Sequence, residues 1–526
     1  MRFVLNQLRA ARLFCAALII CSLSINGCGS LPTKSDQASH RSPDSVQGSE
    51  LARIFVDRAN TDTTHSGFIL LRNGDRALYE RAALADIAEH TIDAQYYIWN
   101  SDRSGRYLAQ KLIEAADRGV SVRILLDDFS IGNRNQQILA VHSHPQVEVR
   151  VYNPFVKRSG IAKWFNFAFD FERLNRRMHN KTYTVDGTAA IVGGRNIGDE
   201  YFNHNEQVNF RDLDVFTVGP VVTDVSTEFE EYWTSPWAIP IDQIVRSSSD
   251  LSERERLAEL IEKQRVDSLD LLFPVKTTSP RAHFLRSVEE LVWAPATFVY
   301  DRPGGDDKTA YPEGPKRVAS HLLQLAGTSK EEVLVESAYF VLDDLGLDLA
   351  GQLRDRGVRM RALTNSMASN DVLPNHASYA MVRERMLEEG IELHELRPDA
   401  RSCLDSVGRR SFCDSDSFFG LHAKSAVFDR KTIYVGSCNL NLRSAYLNTE
   451  VGMFIESPVL AEKLTAQIEV NMRPENSWRP LLKDNNVVWR VQENGEETIV
   501  PYEPHTGFRE RFKEGILTLV PGAEYY

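Results

Sequence analysis

The sequence predicts an α/β fold of two similar lobes, each a mainly parallel β-sheet flanked by helices. Two stretches match in order: a strand, a helix, a glycine, a second strand and, further on, a third strand. The matching segments are 91–99 and 333–340, 106–118 and 345–356, Gly119 and Gly357, 120–126 and 358–363, and 147–152 and 391–396. Strands that alternate with helical patterns indicate βαβ units, and short apolar strands suit a sheet covered on both faces.

The repeat also predicts the organisation of the chain. We expect a first lobe at 51–240 and a second lobe at 281–480. Residues 241–280 are charged and helical in pattern, so they are interpreted as linker helices. The remaining 481–526 are interpreted as a C-terminal extension packed on the second lobe.

The N-terminus has the pattern of an export signal. Arg2, Arg9 and Arg12 precede an apolar stretch at 13–23, which is shorter than the roughly 20 residues of a membrane-spanning helix. We therefore interpret 1–27 as a signal peptide. Residues 28–50, which include a run rich in Ser, Gln and Asp, are interpreted as a flexible tether after it.

The residue after the signal is a cysteine, Cys28. The residues before it, 25–27, resemble a bacterial lipobox, which implies that Cys28 is lipidated and becomes the mature N-terminus. The alternative is an ordinary secretory signal with an incidental cysteine. Because Gly29 rather than Asp follows, the resemblance implies a lipid anchor at the periplasmic face of the outer membrane.

The composition of the 526 residues is that of a globular protein, with 42% hydrophobic and 25% charged residues. The formal net charge is −12, which weighs against a broad nucleic-acid-binding surface. No zinc-ligand spacing occurs, and we expect neither a metal nor another cofactor. We expect a monomer.

Three of the six cysteines lie beyond the N-terminal segment. Cys403 and Cys413 bracket one loop and form a disulfide if the geometry allows; otherwise they stay reduced. Three cysteines cannot all pair, so Cys438 is expected to be a free thiol.

The strongest signal is a short motif that occurs twice at equivalent places in the repeat. The first copy has His179, Lys181 and Asp186, followed by Gly193-Gly194-Arg195-Asn196. The second copy has His422, Lys424 and Asp429, followed by Gly436-Ser437-Cys438-Asn439, with the same spacing. One such match is a weak signal, and two in a duplicated chain are a strong one.

The residue types of the motif suit phosphoryl transfer. His and Lys two residues apart on a strand point to one face, so a duplication can bring two His and two Lys into one cleft. Two ammonium groups and the amides of Asn196 and Asn439 suit a substrate phosphate. One His can attack phosphorus while the other protonates the leaving oxygen.

These pairs resemble the HxKxxxxD motifs of the phospholipase D superfamily, and the resemblance covers essentially the whole predicted mature chain. The segments 93–99, 363–365 and 443–450 look closest to the bacterial cardiolipin synthase branch. The resemblance implies a phosphohistidine intermediate, with His179 as nucleophile and His422 as general acid, and Lys181 and Lys424 as catalytic partners.

The resemblance further implies that Asp186 and Asp429 are structural, and that other carboxylates orient the histidines. Glu450 fits this role in the second lobe, and Asp212 and Asp214 are the candidates in the first. The segment 218–222 aligns with 456–460, and counting back from it places Glu450 on Asp212. We therefore favour Asp212 over Asp214.

An aromatic run precedes the first motif, with Lys157, Arg158 and Lys163 beside it. Its members are Trp164, Phe165, Phe167, Phe169 and Phe171. One interpretation is a lip that takes lipid acyl chains near an anionic membrane. The other is ordinary packing of an inserted helix.

The expected function is a cardiolipin synthase-like phosphatidyltransferase acting on membrane phospholipids. Phosphatidylglycerol is the expected acceptor, and phosphatidylethanolamine is a possible further substrate. The alternatives are a phospholipase D that releases phosphatidic acid and, less favoured, a periplasmic nuclease or phosphodiesterase. A degenerate lipid-binding scaffold is disfavoured because both motifs are intact. No nucleic-acid partner is expected.

Overall fold

The computed structural model describes residues 48–56, 64–132, 134–156, 170–246, 252–268, 280–304, 314–408, 413, 418–493 and 495–517. The predicted signal peptide, Cys28 and the tether up to residue 47 lie outside the described residues. So do Trp164, Phe165, Phe167 and Phe169 of the aromatic run. Phe171 begins the short helix Phe171–Leu174 and is 47% exposed.

The first lobe is built on a nine-stranded sheet. In spatial order its strands are Val292–Ala294, Ser66–Leu71, Asp214–Val218, Ala189–Gly193, Thr182–Val185, Thr91–Tyr96, Ser121–Asp127, Val147–Tyr152 and Ala238–Pro240.

The second lobe repeats this arrangement and extends it. Its ten strands run Ala296–Tyr300, Val451–Glu456, Thr432–Gly436, Lys424–Phe428, Glu332–Ser337, Arg359–Asn365, Glu392–Leu396, Ser477–Lys483, Asn486–Glu493 and Glu496–Val500. The last three strands come from the C-terminal part of the chain and lengthen one edge of the sheet.

The two-lobe α/β fold is confirmed, but the expectation of mainly parallel sheets is wrong. Each sheet is mixed, and only three adjacent strands in each are parallel to one another. The strand that follows each His-x-Lys motif turns back through a tight turn, and a tight turn can only join antiparallel strands. Asp186 and Asp429 sit in these turns with φ of 49° and 50°.

Helices flank both sheets. In the first lobe and the segment after it they are Glu50–Val56, Gly74–Ile87, Arg103–Asp117, Asn135–His142, Phe171–Leu174, Val221–Trp233, Ile241–Ile244, Glu253–Ser268 and Pro280–Glu289. In the second lobe they are Arg317–Thr328, Asp344–Asp355, Leu373–Glu388, Ser402–Val407, Pro458–Asn471 and Phe508–Leu517. Single 3₁₀ turns occur at Asp128–Ser130, Asp199–Tyr201 and Met367–Ser369, and a π-helical turn at Arg443–Leu447.

A core shared by both sheets holds the lobes together. Alternate residues of the strand Ala189–Gly193 face different cores: Val192 joins the shared core, whereas Ile191 packs within the first lobe. On the other side, Ile433 and Val435 join the shared core while Tyr434 packs within the second lobe. Burial on both faces explains why these strands are apolar without alternation.

The chain crosses between the lobes at Pro295. Val292–Ala294 pairs with the first sheet, and Ala296–Tyr300 pairs with the second. The helix Glu253–Ser268, within the segment interpreted as linker helices, contributes Leu257 to a small core with Ile113 and Ala140 of the first lobe.

The motif aspartates have the structural position that the resemblance implied. Asp186 accepts hydrogen bonds from the backbone N–H groups of Glu89, His90 and Thr91 at 2.8–3.0 Å. Asp429 does the same for the equivalent backbone at residues 330–332. Each carboxylate therefore ties a motif turn to the start of the strand next to the motif strand, Thr91–Tyr96 in the first lobe and Glu332–Ser337 in the second.

Cys403 and Cys413 form a disulfide, and Cys438 is a buried free thiol. Within the part of the chain that the structure describes, no helix combines the length and the apolar character needed to cross a bilayer.

Candidate active site

The two motifs meet where the lobes contact each other. The N–H of His179 donates to the carbonyl of Thr449 at 2.9 Å, and the N–H of His422 donates to the carbonyl of Arg211 at 2.8 Å. A parallel two-stranded sheet of Val208–Arg211 and Phe418–Leu421 joins the lobes beside them. Each histidine is thus fixed by the backbone of the opposite lobe.

The sequence predicts that the two motif histidines lie on strands, but the structure places each of them just before a strand. The strand after the first motif begins at Thr182 and that after the second begins at Lys424, so both histidines lie in extended segments just before a strand. An extended segment keeps the two-residue period, and His and Lys still share a side of the chain.

Each histidine is oriented by a carboxylate from the other lobe. His179 Nδ1 lies 2.9 Å from Glu450 Oε2, and His422 Nδ1 lies 2.5 Å from Asp212 Oδ2. Both carboxylates are buried. An ionised carboxylate only accepts, so each Nδ1 carries the proton and each Nε2 presents a lone pair.

Asp212 and Asp214 have different partners. Asp214 accepts from Arg81 Nη2 at 2.9 Å and from the backbone N–H of Arg195 at 3.1 Å, inside the first lobe. A Cβ on Gly194 would overlap the Asp212 carboxylate, so the glycine makes room for it. The structure therefore brings Asp212, and not Asp214, to a motif histidine.

The second lobe supports its carboxylate differently. Ser437 stands at the position equivalent to Gly194, and its hydroxyl donates to Glu450 Oε2 at 2.5 Å. Glu450 also receives its own backbone restraint, because its N–H donates to Asp301 Oδ2 at 3.0 Å. Glu450 thus has a hydroxyl donor beside it, whereas Asp212 has a glycine, which has no side chain, at the equivalent position.

Burial controls the charge of the four acid–base groups. It lowers the pKa of His179 to about 4 and that of His422 to about 3, against the opposing effect of their carboxylate partners. Burial acts to raise the pKa of Asp212 and Glu450, but the paired histidine and a nearby lysine (Lys424 and Lys181, respectively) together outweigh it, and both values lie below the usual range. At neutral pH the site therefore holds neutral imidazoles on ionised carboxylates.

The two lysines lie in the same buried space. Lys181 Nζ donates to the carbonyl of His179 at 2.6 Å, and Lys424 Nζ donates to the carbonyl of His422. Burial lowers the pKa of Lys181 to about 7 and that of Lys424 to about 8. Lys424 further lowers the pKa of Lys181, and both lysines lower the pKa of both motif histidines. An anion that enters this space meets two ammonium groups with few competing waters.

The predicted phosphate-binding asparagines stand on equivalent turns after the strands Ala189–Gly193 and Thr432–Gly436. Asn196 Oδ1 accepts from the N–H of Ile98 at 3.2 Å. Asn439 is 4% exposed, and its Oδ1 has no hydrogen-bond partner among the described residues. The acceptor of Asn196 is therefore satisfied by backbone, while that of Asn439 is not.

Several site residues were missed by sequence reasoning. Tyr97 stacks edge-on to His179 with ring centroids 5.1 Å apart, and Tyr201 does so to His422 at 5.0 Å. Asp127, which ends the strand Ser121–Asp127, accepts from Phe129 N–H at 2.8 Å and also from the N–H of Met178, next to His179, at 2.9 Å. Tyr97 and Asp127 had a signal in the sequence, because they lie at the carboxyl ends of parallel strands, where ligands often bind.

One further network forms at the first motif and has no counterpart at the second. Asn180, between His179 and Lys181, donates to Glu228 Oε1 at 2.7 Å and accepts from the hydroxyl of Thr449 at 2.9 Å. Burial raises the pKa of Glu228 to about 8. The equivalent residue of the second motif is Ala423, which cannot make these bonds.

Within the described ranges, one group of side chains is close enough to hold a metal ion: His376, Glu503 and Glu514. His376 Nδ1 lies 2.7 Å from Glu514 Oε1, and its Nε2 lies 3.3 Å from Glu503 Oε2. Arg383 is 2.6 Å from the other oxygen of Glu503. These side chains form a buried polar network in which Arg383 pairs with Glu503.

A duplicated α/β fold with two His-x-Lys motifs, each completed by the other lobe, defines a phospholipase D-like protein. The family model described as "Cardiolipin synthase, PLD-like domain" matches residues 83–233 and 322–472, one match per lobe. The chain belongs to this family.

Relatives match nearly the whole chain. Cardiolipin synthase C of Escherichia coli (strain K12) is 36% identical over 90% of this chain and 98% of its own length. An uncharacterized protein of Helicobacter pylori (strain ATCC 700392 / 26695) is 30% identical over 92% of this chain and 94% of its own. The crystal structure of phosphatidylserine synthase of Haemophilus influenzae Rd KW20 covers 88% of this chain and 96% of its own, with 13% identity and a TM-score of 0.53, and so shares the fold.

The carboxylate pairs predict a test that separates orientation from stability. Glu450→Gln and Asp212→Asn are expected to lower turnover of a small chromogenic phosphodiester by about 10²- to 10⁴-fold, because an amide no longer fixes the Nδ1–H tautomer. Asp214→Asn is the matched control. It breaks a buried ion pair and should lower the melting temperature with a far smaller effect on turnover. Equal turnover losses in all three variants would contradict the assignment.

The lysine pKa values predict an alkaline limb in the pH profile. Both values lie below that of a free lysine, so the ammonium charge is present at low pH and is lost as pH rises through about 7 to 8. The kcat/KM is expected to fall over this window, since it reports the free enzyme. Lys181→Arg keeps a charge that does not titrate there, and it should move the limb to higher pH. An unmoved limb in both Lys181→Arg and Lys424→Arg would assign it to another group.

Proposed function

We propose that this protein is a cardiolipin synthase-like enzyme that transfers a phosphatidyl group between membrane phospholipids through a phosphohistidine intermediate. The chain is a phospholipid phosphatidyltransferase of the phospholipase D type, as its family and its cardiolipin synthase relative indicate. The observation that carries the mechanism is the pair of neutral imidazoles, each with an ionised carboxylate on Nδ1 and a free lone pair on Nε2.

In the first half-reaction, Nε2 of His179 attacks the phosphorus of a phospholipid. The P–N bond forms as the bond to the head-group oxygen breaks, and His422 gives the leaving alcohol its proton. The phosphodiester anion raises the pKa of His422 from its low value in the protein alone, so His422 takes up a proton from water as the substrate binds, and Asp212 stabilises the resulting imidazolium. Lys181 and Lys424 balance the charge on the non-bridging oxygens.

In the second half-reaction, a hydroxyl of phosphatidylglycerol takes the place of the departed alcohol. His422 accepts its proton, the oxygen attacks phosphorus, and the P–N bond to His179 breaks. The product is cardiolipin. His179 returns to a neutral imidazole, and His422 ends as the imidazolium that began the cycle, which gives its proton back to water when the product leaves. Water as acceptor would give phosphatidic acid through the same steps.

The test is a lipid product assay without added metal. Purified full-length protein is incubated with vesicles of phosphatidylglycerol and phosphatidylethanolamine, and the products are identified by mass spectrometry. Cardiolipin is expected from the parent protein and none from His179→Ala or His422→Ala. Acid-labile radiolabel from the phosphatidyl group should be trapped on His422→Ala and not on His179→Ala.

The outcomes separate the parts of the proposal. Phosphatidic acid without cardiolipin would contradict the synthase assignment and keep the shared site. Label trapped on His179→Ala and not on His422→Ala would reverse the two roles. Absence of lipid turnover by the parent protein would overturn the function, and phosphodiesters of other classes would then be assayed.

We further propose that the enzyme is a monomeric lipoprotein at the periplasmic face of the outer membrane. The support is the sequence of 1–29, with its basic start, short apolar stretch and Cys28 followed by Gly29. The parent protein is expected in the outer-membrane fraction with acyl chains on Cys28, as read by mass spectrometry of its N-terminal peptide. A mature protein whose Cys28 carries no acyl chain would contradict the lipid anchor.

A further inference from the structure

The helix Phe508–Leu517, here called the C-terminal helix, carries an apolar stripe that faces away from the protein. Phe508 is 75% exposed, Phe512 is 59% exposed and Ile516 is 50% exposed. Residues four apart lie on one face of a helix, so the three side chains form a single stripe. Large apolar side chains are rarely left in such a row on a soluble surface.

Basic residues border this stripe. Arg509 and Lys513 are exposed on one side of it. On the other side, the Arg511 guanidinium lies 4.9 Å from the ring centroid of Tyr502, which is itself 53% exposed. In a chain with a net charge of −12, an apolar stripe between cations is a local exception.

The opposite face of the C-terminal helix is anchored. Glu514 Oε1 lies 2.7 Å from Nδ1 of His376, which is fully buried in the first turns of the helix Leu373–Glu388. His376 Nε2 faces Glu503, and Glu503 pairs with Arg383. These ion pairs fix the rotation of the C-terminal helix, and the stripe points outward as a consequence.

The anchor lies close to the active site. Asn375, next to His376, accepts from Asn441 Nδ2 at 3.3 Å, and Asn441 is two residues beyond the site residue Asn439. Asp371, just before the same helix, accepts from the hydroxyl of Tyr339 at 2.9 Å. Lys424 acts on the pKa of Asp371, which burial raises. The helix that anchors the C-terminal helix is therefore connected to the site through Asn375 and Asn441.

We infer that the C-terminal helix lies in the surface of an anionic phospholipid bilayer and holds the second lobe against it. The stripe enters the boundary between head groups and acyl chains, and Arg509, Lys513 and Arg511 reach the head-group phosphates. Tyr502 adds an aromatic ring with a polar end, which suits the same depth. The inference rests on the proposed function only in taking a bilayer phospholipid as substrate.

The test compares two double variants in the full-length chain with Cys28→Ser, so that no acyl chain at that position contributes. Phe508→Ser/Phe512→Ser removes most of the stripe. Val459→Ser/Leu482→Ser, at exposed apolar residues 54% and 37% accessible on the second lobe, is the matched control. Affinity is measured by co-sedimentation with vesicles of phosphatidylglycerol and phosphatidylcholine. Turnover is measured on the same vesicles and on a short-chain phosphatidylglycerol below its micelle concentration.

The stripe variant is expected to lose vesicle affinity and vesicle turnover by about tenfold or more, since two phenyl groups no longer leave water. Its turnover of the dispersed short-chain lipid should stay within about twofold of the parent, and the control should match the parent in all assays. If no phospholipid is turned over by any protein, the proposed function fails while the affinity measurement still decides the docking.

A second variant guards against misfolding of the stripe variant. Arg509→Glu/Lys513→Glu changes only exposed side chains, and it should weaken binding to vesicles that contain phosphatidylglycerol but not to pure phosphatidylcholine vesicles. Unchanged affinity in both variants would overturn the inference. So would a stripe variant that binds vesicles normally but changes the sedimentation coefficient, because the stripe would then be a contact between copies of the chain.

Discussion

The interaction on which the rest of the structure depends is the exchange of carboxylates between the lobes. His179 of the first lobe is oriented by Glu450 of the second, and His422 is oriented by Asp212 of the first. Neither motif histidine has its orienting carboxylate in its own lobe. The shared hydrophobic core, the crossover at Pro295 and the two-stranded sheet between lobes all serve to keep these two pairs in register.

This arrangement places many charges in a space with little water, and burial of charge is costly unless each charge is paired. Ion pairs and hydrogen bonds around the site offset part of this cost. Arg211, whose carbonyl holds His422, forms an ion pair with Glu336 across the lobes. Lys316, buried near Asp301, donates to the carbonyls just before Glu450 at 2.6 Å. The lowered pKa values of the lysines show that part of the cost remains, and a bound phosphate would relieve it.

Much of this could be predicted from the sequence because it is carried by local spacing. The repeat, the His-x-Lys pairs and the turn aspartates each occupy a few consecutive residues, and counting along the repeat was enough to favour Asp212. The exchange of carboxylates could not be predicted, since a repeat aligns equivalent residues but does not say which copy they contact. The sheets were expected to be mainly parallel because the three parallel strands of each lobe give the clearest sequence pattern. The strands of the hairpins that follow are equally apolar, and nothing in their sequence marks them as antiparallel. The Arg211–Glu336 and Asn180–Glu228 pairs join residues distant in the chain, and single residues of these types are common in any sequence.

The hydrogen-bond network of Asn180 makes the two lobes of the duplicated chain chemically different. Asn180 contacts Glu228 of its own lobe and Thr449 of the other, whereas Ala423 at the equivalent place needs no partner. Arg211 is the first-lobe residue equivalent to Thr449, so in a pair of two first lobes Asn180 would face Arg211. In a pair of two second lobes Ala423 would stand in place of Asn180, and neither hydrogen bond could form. At this contact the two lobes are therefore complementary and not interchangeable, although each repeats the fold of the other.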